Sequence, residues 1–372
     1  MVPRRPHSSD NHGVECFDRE RVKSIARDAG FELAGVARAE PTIEAAFYPE
    51  WLRRGYHGAM GYLEGRRGEM RDDPRTLLKT VRSVLCVGQV YNSPYPYSTR
   101  QDDPERGWVA RYAWGEDYHL TLKNRLYQVV EALKAEAGDF RFKVCVDTSP
   151  FLDRAYARHA GLGWIGKNTC LINEQIGSWT LLGAVLLSLE VEPDGPPPDR
   201  CGTCTRCIDA CPTDALVPIE GPGPTHALDA RRCISYWTIE QRGVLEHAHR
   251  SEVGRHVFGC DICQDVCPWN RPERAAATTA PEFEPRHVEP DLADLAALSQ
   301  DEFDKRFAES PIERTRYFGL LRNVATAMGN SGERRYLEPL GRLAEHEDAA
   351  VREHAQWAIE RLQAPTLNGR LL

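Results

Sequence analysis

The chain has 372 residues, 12 cysteines and a formal net charge of −8, long enough for two or three domains with a substantial core. The acidic balance argues against broad nonspecific nucleic-acid binding, which depends on neutralising phosphates, and leaves room for one local basic face. The longest apolar run, around Leu181 to Leu189, is broken by Gly183 and Ser188 and is too short to cross a bilayer.

The opening residues, M-V-P-R-R-P-H-S-S-D-N-H-G, carry an arginine pair. Polar residues follow it, where a secretory or twin-arginine leader would continue with an apolar stretch. Residues 1–17 are therefore expected to form a disordered tail on a cytoplasmic protein. A helix is predicted from Asp18 as cap, through Val22, Ile25 and Ala26, to Gly30 as stop. F-E-L-A-G-V-A reads as a strand, as do S-V-L-C-V-G-Q-V-Y, F-R-F-K-V-C-V-D-T and W-T-L-L-G-A-V-L-L-S-L. Helices are predicted at Asp117–Ala137 and Phe151–Ala160. Strands alternating with helices over residues 18–190 predict an α/β or α+β domain. Cys86 and Cys145 fall inside apolar runs, where cysteine acts as a small hydrophobe.

V-E-P-D-G-P-P-P-D-R, residues 191–200, is a linker and a domain boundary. Beyond it C-G-T-C-T-R-C-I-D-A-C-P gives Cys201, Cys204, Cys207 and Cys211 at bacterial ferredoxin spacing. C-D-I-C-Q-D-V-C-P gives Cys260, Cys263 and Cys267, and Cys233 stands between the two runs. In two-cluster ferredoxins the fourth cysteine of a run ligates the other cluster. One 4Fe–4S cluster is thus assigned to Cys201, Cys204, Cys207 and Cys267, the other to Cys211, Cys233, Cys260 and Cys263. Zinc would accept paired C-x-x-C hooks but does not need the C-P tail twice, and disulfides would need an oxidising compartment. Residues 191–280 are expected to be this ferredoxin-type domain. From Pro281 the pattern is helical: three amphipathic segments within residues 281–372 read either as HEAT-type repeats or as a small helical cap.

Two clusters beside a large non-ferredoxin domain imply an electron acceptor there, whether a flavin, a corrinoid or a bound substrate. No G-x-G-x-x-G follows a strand and no G-x-x-x-x-G-K-[ST] exists, so neither a Rossmann site nor phosphoryl transfer is supported. Three segments are candidates for the acceptor site. Asp117-Tyr118-His119 approximates a cobalamin-ligating D-x-H-x-x-G, but Leu122 replaces the glycine, so a half-buried helix-start histidine is the preferred reading. Asp147 ends a strand before Thr148-Ser149-Pro150, where a desolvated carboxyl would have a raised pKa and could donate a proton. An ordinary Asx turn is the simpler reading of that residue. A-G-L-G-W-I-G-K-N-T, residues 160–169, offers backbone amides and a lysine to a large cofactor, and Cys170 follows it.

Taken together, Arg66, R-D-D-P at 71–74, R-Y-A-W-G-E-D-Y-H, V-D-T-S-P, G-L-G-W-I-G-K-N, C-I-S-Y-W-T-I-E and C-D-I-C-Q-D-V-C-P-W-N resemble, in order, the epoxyqueuosine reductases. The resemblance spans nearly the whole chain. It implies reduction of the epoxide of epoxyqueuosine to queuosine at the wobble position of tRNA with a GUN anticodon. It further implies two 4Fe–4S clusters, fed by an external low-potential donor, that take base-off cobalamin to cobalt(I). By that resemblance Asp147 is the catalytic acid, and Arg66, Lys167, Asn168, Thr169, Cys170 and Ser235 lie near the corrin with Asp147. The HEAT-like helices, with Arg314, Arg316 and Arg322, would hold the anticodon stem-loop, and a monomer with no membrane attachment is expected. A corrinoid reductive dehalogenase fits less well, since those usually carry a twin-arginine leader and lack the helical tail. An electron-carrying ferredoxin would need no cobalamin and no Asp147, and an RNA-binding module with structural metal would show no redox-linked bleaching.

Overall fold

The structure, a computed structural model, describes residues 16–221, 223–364, 366–367 and 370–371. Residues 1–15 of the expected tail lie outside them. At its end, Phe17 donates its N–H to the Glu190 carbonyl at 2.8 Å and bridges Val191, so ordered structure begins ahead of the predicted helix. In that helix, α1 (Arg19–Asp28), the Asp18 carboxylate accepts from the N–H of Glu20, satisfying one of the otherwise unpaired donors of the first turn.

There follow β1 (Leu33–Arg38), α2 (Ile43–Arg53), β2 (Ser83–Val90), α3 (Tyr118–Ala137), β3 (Phe142–Cys145), α4 (Asp153–His159) and β4 (Thr180–Leu187). The sheet order is β1-β2-β4-β3, and all three pairings are antiparallel. This is an α+β arrangement. The α/β alternative, which requires parallel strands, does not form, because alternation of strand and helix in sequence does not fix strand direction. Helix α2 was not foreseen. It carries Pro49 and is started by Thr42, whose Oγ accepts from the Ala45 N–H.

The two-residue period of the strands decides the layers. Val36, Leu85, Val87, Val185 and Leu187 face α1 and the apolar stripe of α3, Leu122, Leu126, Val129, Val130 and Leu133. The alternate residues Ala37, Val84, Cys86, Ala184 and Leu186, with Cys145, meet Tyr156, Ala157 and Ala160 around α4. Small residues on this second face let α4 approach closely; a Cβ on Gly35 would overlap the Ala160 carbonyl oxygen.

Farther on come α5 (Ile234–Ile239), α6 (Tyr317–Ser331), α7 (Leu337–Leu343) and α8 (Ala349–Gln363). Leu320, Leu321, Val324 and Met328 of α6 pack on Leu340 of α7 and on Val351, Ala355 and Ala358 of α8. The same core takes in Trp108, Val109, Trp114, Val257 and Phe258, so these helices are continuous with the upstream fold. Among the described residues no helix is long and apolar enough to cross a membrane.

Candidate functional site

The two cysteine runs lie against one another. Cys201, Cys204 and Cys207 of the first run and Cys267 of the second line one cavity of about 360 Å³. Burial, with the neighbouring thiols, pushes Cys207 up to about 11 and Cys267 up to about 12. The remaining four are close enough for their charges to act on one another, Cys211 on Cys233, Cys233 on Cys260, and Cys260 and Cys233 on Cys263, which also feels Cys207 of the first set. Thiol clusters so poor in other donors suit sulfide-bridged iron, whose ligands are all thiolate. The second run is anchored by Asn270, which is fully buried. Its amide donates to Ser178 Oγ (2.8 Å) and the Gln264 carbonyl (2.9 Å), its Oδ1 accepts from the Ser178 N–H (2.7 Å), and its carbonyl accepts from Tyr97. C-P-W-N is thereby fixed to the start of β4.

A second cavity, about 820 Å³, lies between α2, the β3–α4 turn and the end of the second cysteine run. Its wall is mostly aromatic and aliphatic, including Phe47, Tyr48, Trp51, Tyr91, Leu152 and Leu181. Cys170 and Gln264 lie on the side toward the clusters, and Cys170 neighbours Cys263.

Asp147 stands on this wall with its side chain 54 % exposed. It comes directly after β3 and has φ +36°, a backbone region costly for a residue with a Cβ. On α3, the cap Asp117 accepts from the His119 N–H (3.0 Å) and from His119 Nδ1 (2.7 Å), and His119 Nε2 donates to Asp147 Oδ2 (3.0 Å). Burial alone would lower the His119 pKa; bonds to Asp117 and Asp147 overcome it and raise it to about 9. Asp147 moves the opposite way from the sequence expectation. Its recess raises the pKa, but the His119 bond and charge, the Tyr118 hydroxyl and the Arg314 charge together lower it. At neutral pH the proton of this pair therefore resides on the imidazole.

The predicted residues divide between the two cavities. Asp147, Thr169 and Cys170 line the large one. Lys167 and Asn168 do not: the Lys167 ammonium donates to the carbonyls of Gly202 and Cys204 (both 2.9 Å), and Asn168 donates to the Cys263 carbonyl (3.3 Å). These two residues secure the cysteine loops. Arg66 is exposed in a short helix and Ser235 is half-buried behind Cys233; neither lines the large cavity.

Of the arginines, Arg314 and Arg316 are exposed. Arg314 pairs with Glu240 (2.5 Å) and lies 5.6 Å over the ring of exposed Tyr62. Arg322 is corrected: it is 3 % exposed and donates to the carbonyls of Trp237, Gln241 and Gly243 and to Asn323 Oδ1. An amphipathic helix with an Arg on its inner face gives no sign in sequence that waiting carbonyls will bury the charge. Sequence reasoning also missed Asp153 on the cavity wall, whose carboxyl is pushed up to about 8, by burial first and the Asp147 charge second. An acid inside the apolar F-L-D-R-A-Y-A was the available signal.

Comparison with known proteins gives a consistent result. A family model described as epoxyqueuosine reductase QueG, DUF1730, matches residues 71–148, and one described as a 4Fe–4S double cluster binding domain matches residues 200–270. The chain is 41 % identical over 352 residues to an epoxyqueuosine reductase of Xanthomonas campestris, covering 91 % of this chain and 94 % of that protein. It is 39 % identical to one of Pseudomonas aeruginosa, covering 92 % and 94 %. Among solved structures, an epoxyqueuosine reductase with an epoxyqueuosine-modified tRNA-Tyr stem loop superposes with TM-score 0.81 at 31 % identity, over 92 % of this chain and 89 % of that one. The enzyme from Streptococcus thermophilus gives 0.80 at 27 %, over 94 % and 91 %.

Proposed function

The chain belongs to the epoxyqueuosine reductase family, and on that basis we propose that it reduces the epoxide of epoxyqueuosine in a tRNA anticodon to the alkene of queuosine. The overall change consumes two electrons and two protons and releases water. The observation that supports the reading best is Asp147, held by His119, on the wall of a large and mostly apolar cavity that reaches Gln264 of the second cysteine run. The ferredoxin-type region supplies electrons singly, through the two interleaved cysteine sets. Cobalamin held against the aromatic and aliphatic wall of this cavity would supply a reducible cobalt centre, with the base-off state taken from the family resemblance.

The wall residues suit that group. Broad aromatic and aliphatic faces accept a macrocycle, and the backbone around Thr169 and Cys170 borders it. Both ring nitrogens of His119 are engaged by carboxylates, so this histidine keeps no lone pair for a metal.

His119 and Asp147 handle the proton. In the open cavity Asp147 is ionised and His119 holds the proton. Seating the nucleoside against Asp147 strips water from the carboxylate, and that desolvation raises its proton affinity. The proton then moves across the 3.0 Å Nε2–Oδ2 bond, and Asp147 presents it to the epoxide oxygen as the C–O bond opens. Geometry supports Asp147, and not His119, as the donor to substrate, because only the carboxylate lines the cavity.

We read Arg314 and Tyr62 as a clamp for the anticodon loop, since a guanidinium over an exposed ring can meet a phosphate and stack a base together. Arg316 and the helices α6–α8, in a HEAT-like role, extend that surface; Arg322 is left out of it. A chain acting on tRNA in this way works in the cytoplasm.

The test uses anaerobically reconstituted protein with a low-potential reductant, with and without cobalamin, on tRNA carrying epoxyqueuosine. Nucleoside mass analysis should find cobalamin-dependent loss of one oxygen. No conversion by protein with clusters and cobalamin demonstrably loaded would overturn the reading.

A further inference from the structure

The cavity of the first cysteine set reaches the surface through a ring of arginines. Arg200, Arg206, Arg271 and Arg274 stand on the cavity lined by Cys201, Cys204, Cys207 and Cys267. An adjoining depression of about 520 Å³ has Cys267 on its wall and is bordered by Arg100, Arg206 and Arg271. All five arginines are exposed, on a chain whose net charge is −8. Arg200 pairs with Glu174 at 3.0 Å. Among the described residues Arg100, Arg206, Arg271 and Arg274 form no ion pair with a carboxylate.

Two of them are held by aromatic faces that also border these openings: Arg100 at 5.8 Å over Tyr97, and Arg274 at 5.1 Å over Trp269. The acids nearby are already engaged. Asp209 accepts from Thr205 Oγ1 at 2.8 Å, and Asp265 is buried, accepting from Ser98 Oγ and the Thr99 N–H. The cavity carrying Asp147 shares no lining residue with either opening, so substrate and arginine ring use separate openings.

We propose that this arginine-ringed face is the docking site for a small acidic protein that carries electrons one at a time. The excess of positive over negative charge around the first cluster steers an acidic partner and orients its approach. The rim aromatics and the Cys267 side bring the partner's redox group next to the first cluster. In each encounter the reduced carrier loses one electron and the first cluster gains one, passing from the 2+ to the 1+ state. Two encounters supply the two electrons of one epoxide reduction. The inference rests on the electron-input side of the proposed function and needs only the clusters, not the identity of the substrate.

The test is anaerobic stopped-flow bleaching of the cluster absorbance in holoprotein, without tRNA. The probes are a reduced acidic flavodoxin and, as a small reductant that needs no docking face, photoreduced deazaflavin. For Arg100→Glu/Arg271→Glu the flavodoxin rate should fall by about tenfold or more and lose its decrease with salt, while deazaflavin bleaches both proteins alike. Arg100→Gln/Arg271→Gln provides the same reading, with a smaller drop, if charge reversal lowers cluster loading. Equal flavodoxin rates in wild type and variants, at equal iron content, would overturn the proposal. So would variants that keep the flavodoxin rate and lose affinity for a tRNA stem-loop, which would make the ring a phosphate-binding surface. Because bleaching is read without substrate, failure of epoxide reduction in its own assay leaves this result independent.

Discussion

Replacing His119 with glutamine removes the charge between Asp117 and Asp147 while keeping a side chain that can hydrogen-bond. In the intact protein His119 titrates at about 9 instead of 6.5, a rise that corresponds to about 3 kcal/mol. Asp147 is 54 % exposed, so solvent screening reduces the net value to roughly 1–2 kcal/mol. A histidine whose pKa is raised on folding contributes stability that is complete below its unfolded value of about 6.5 and is lost as pH climbs through about 9. Between about pH 6 and pH 10, urea titrations should therefore show the wild type losing about 1–2 kcal/mol relative to His119→Gln. The same proton serves turnover. With clusters reduced beforehand, single-turnover conversion by the wild type should hold level at neutral pH and decline through about pH 9. His119→Gln should be slower by about 10²-fold at neutral pH, and its decline should begin at lower pH, because Asp147 then draws protons only from solvent. A His119→Gln enzyme with the wild-type rate and the wild-type alkaline limb would refute the proton store.

Asp147→Asn should keep its iron and its cobalamin, measured by iron content and absorbance, and lose about 10²–10⁴-fold in turnover; unchanged turnover would remove Asp147 from its role. Cys267→Ala should deplete the cluster of Cys201, Cys204 and Cys207 although it lies in the second run, as read by iron counting and electron paramagnetic resonance. Loss of the other cluster alone would overturn the interleaved pairing. Arg322→Ala leaves three backbone carbonyls without their buried donor and should cost about 2–4 kcal/mol in unfolding free energy. Its folded fraction should bind a tRNA stem-loop with unchanged affinity, and a selective loss of binding would return Arg322 to the RNA surface.

What could be read in sequence was what depends on short spacing. The cysteine runs state their chemistry within a dozen residues each, and the alternation in β2 and β4 separates two buried faces without reference to partners. Strand direction was not legible, because it depends on how connections of tens of residues return. Nor was the state of Asp147: its neighbourhood in sequence suggested a desolvated acid, and what lowers its pKa is a histidine 28 positions away on another element. His119 was weighed as a metal ligand and read instead as a helix-start histidine, and its tie to two carboxylates needed the α3 terminus beside the end of β3. Arg322 was misread, and the tie of Lys167 to the cysteine loops was not foreseen, for one shared reason. A cation in sequence does not declare whether it will face solvent or a group of backbone carbonyls, and both met carbonyls.

The backbone at Asp147 connects the fold to the chemistry. A residue with a Cβ at φ +36° costs on the order of 1–3 kcal/mol, and such strain persists where the surroundings over-determine it. Here they do so from both sides. Upstream, Cys145 is locked in register with Ala184 at the middle of β4. Downstream, α4 is pressed onto β1, where Gly35 leaves space for the Ala160 carbonyl. The loop between is bounded by a strand and a helix, and in this conformation the Asp147 carboxylate meets the α3 terminus and the cavity together. β4 also begins beside Ser178, the residue that Asn270 uses to hold the second cysteine run. One strand thus carries both supports: its middle holds the end of β3 that leads to Asp147, and its start adjoins the residue that holds the second cysteine run.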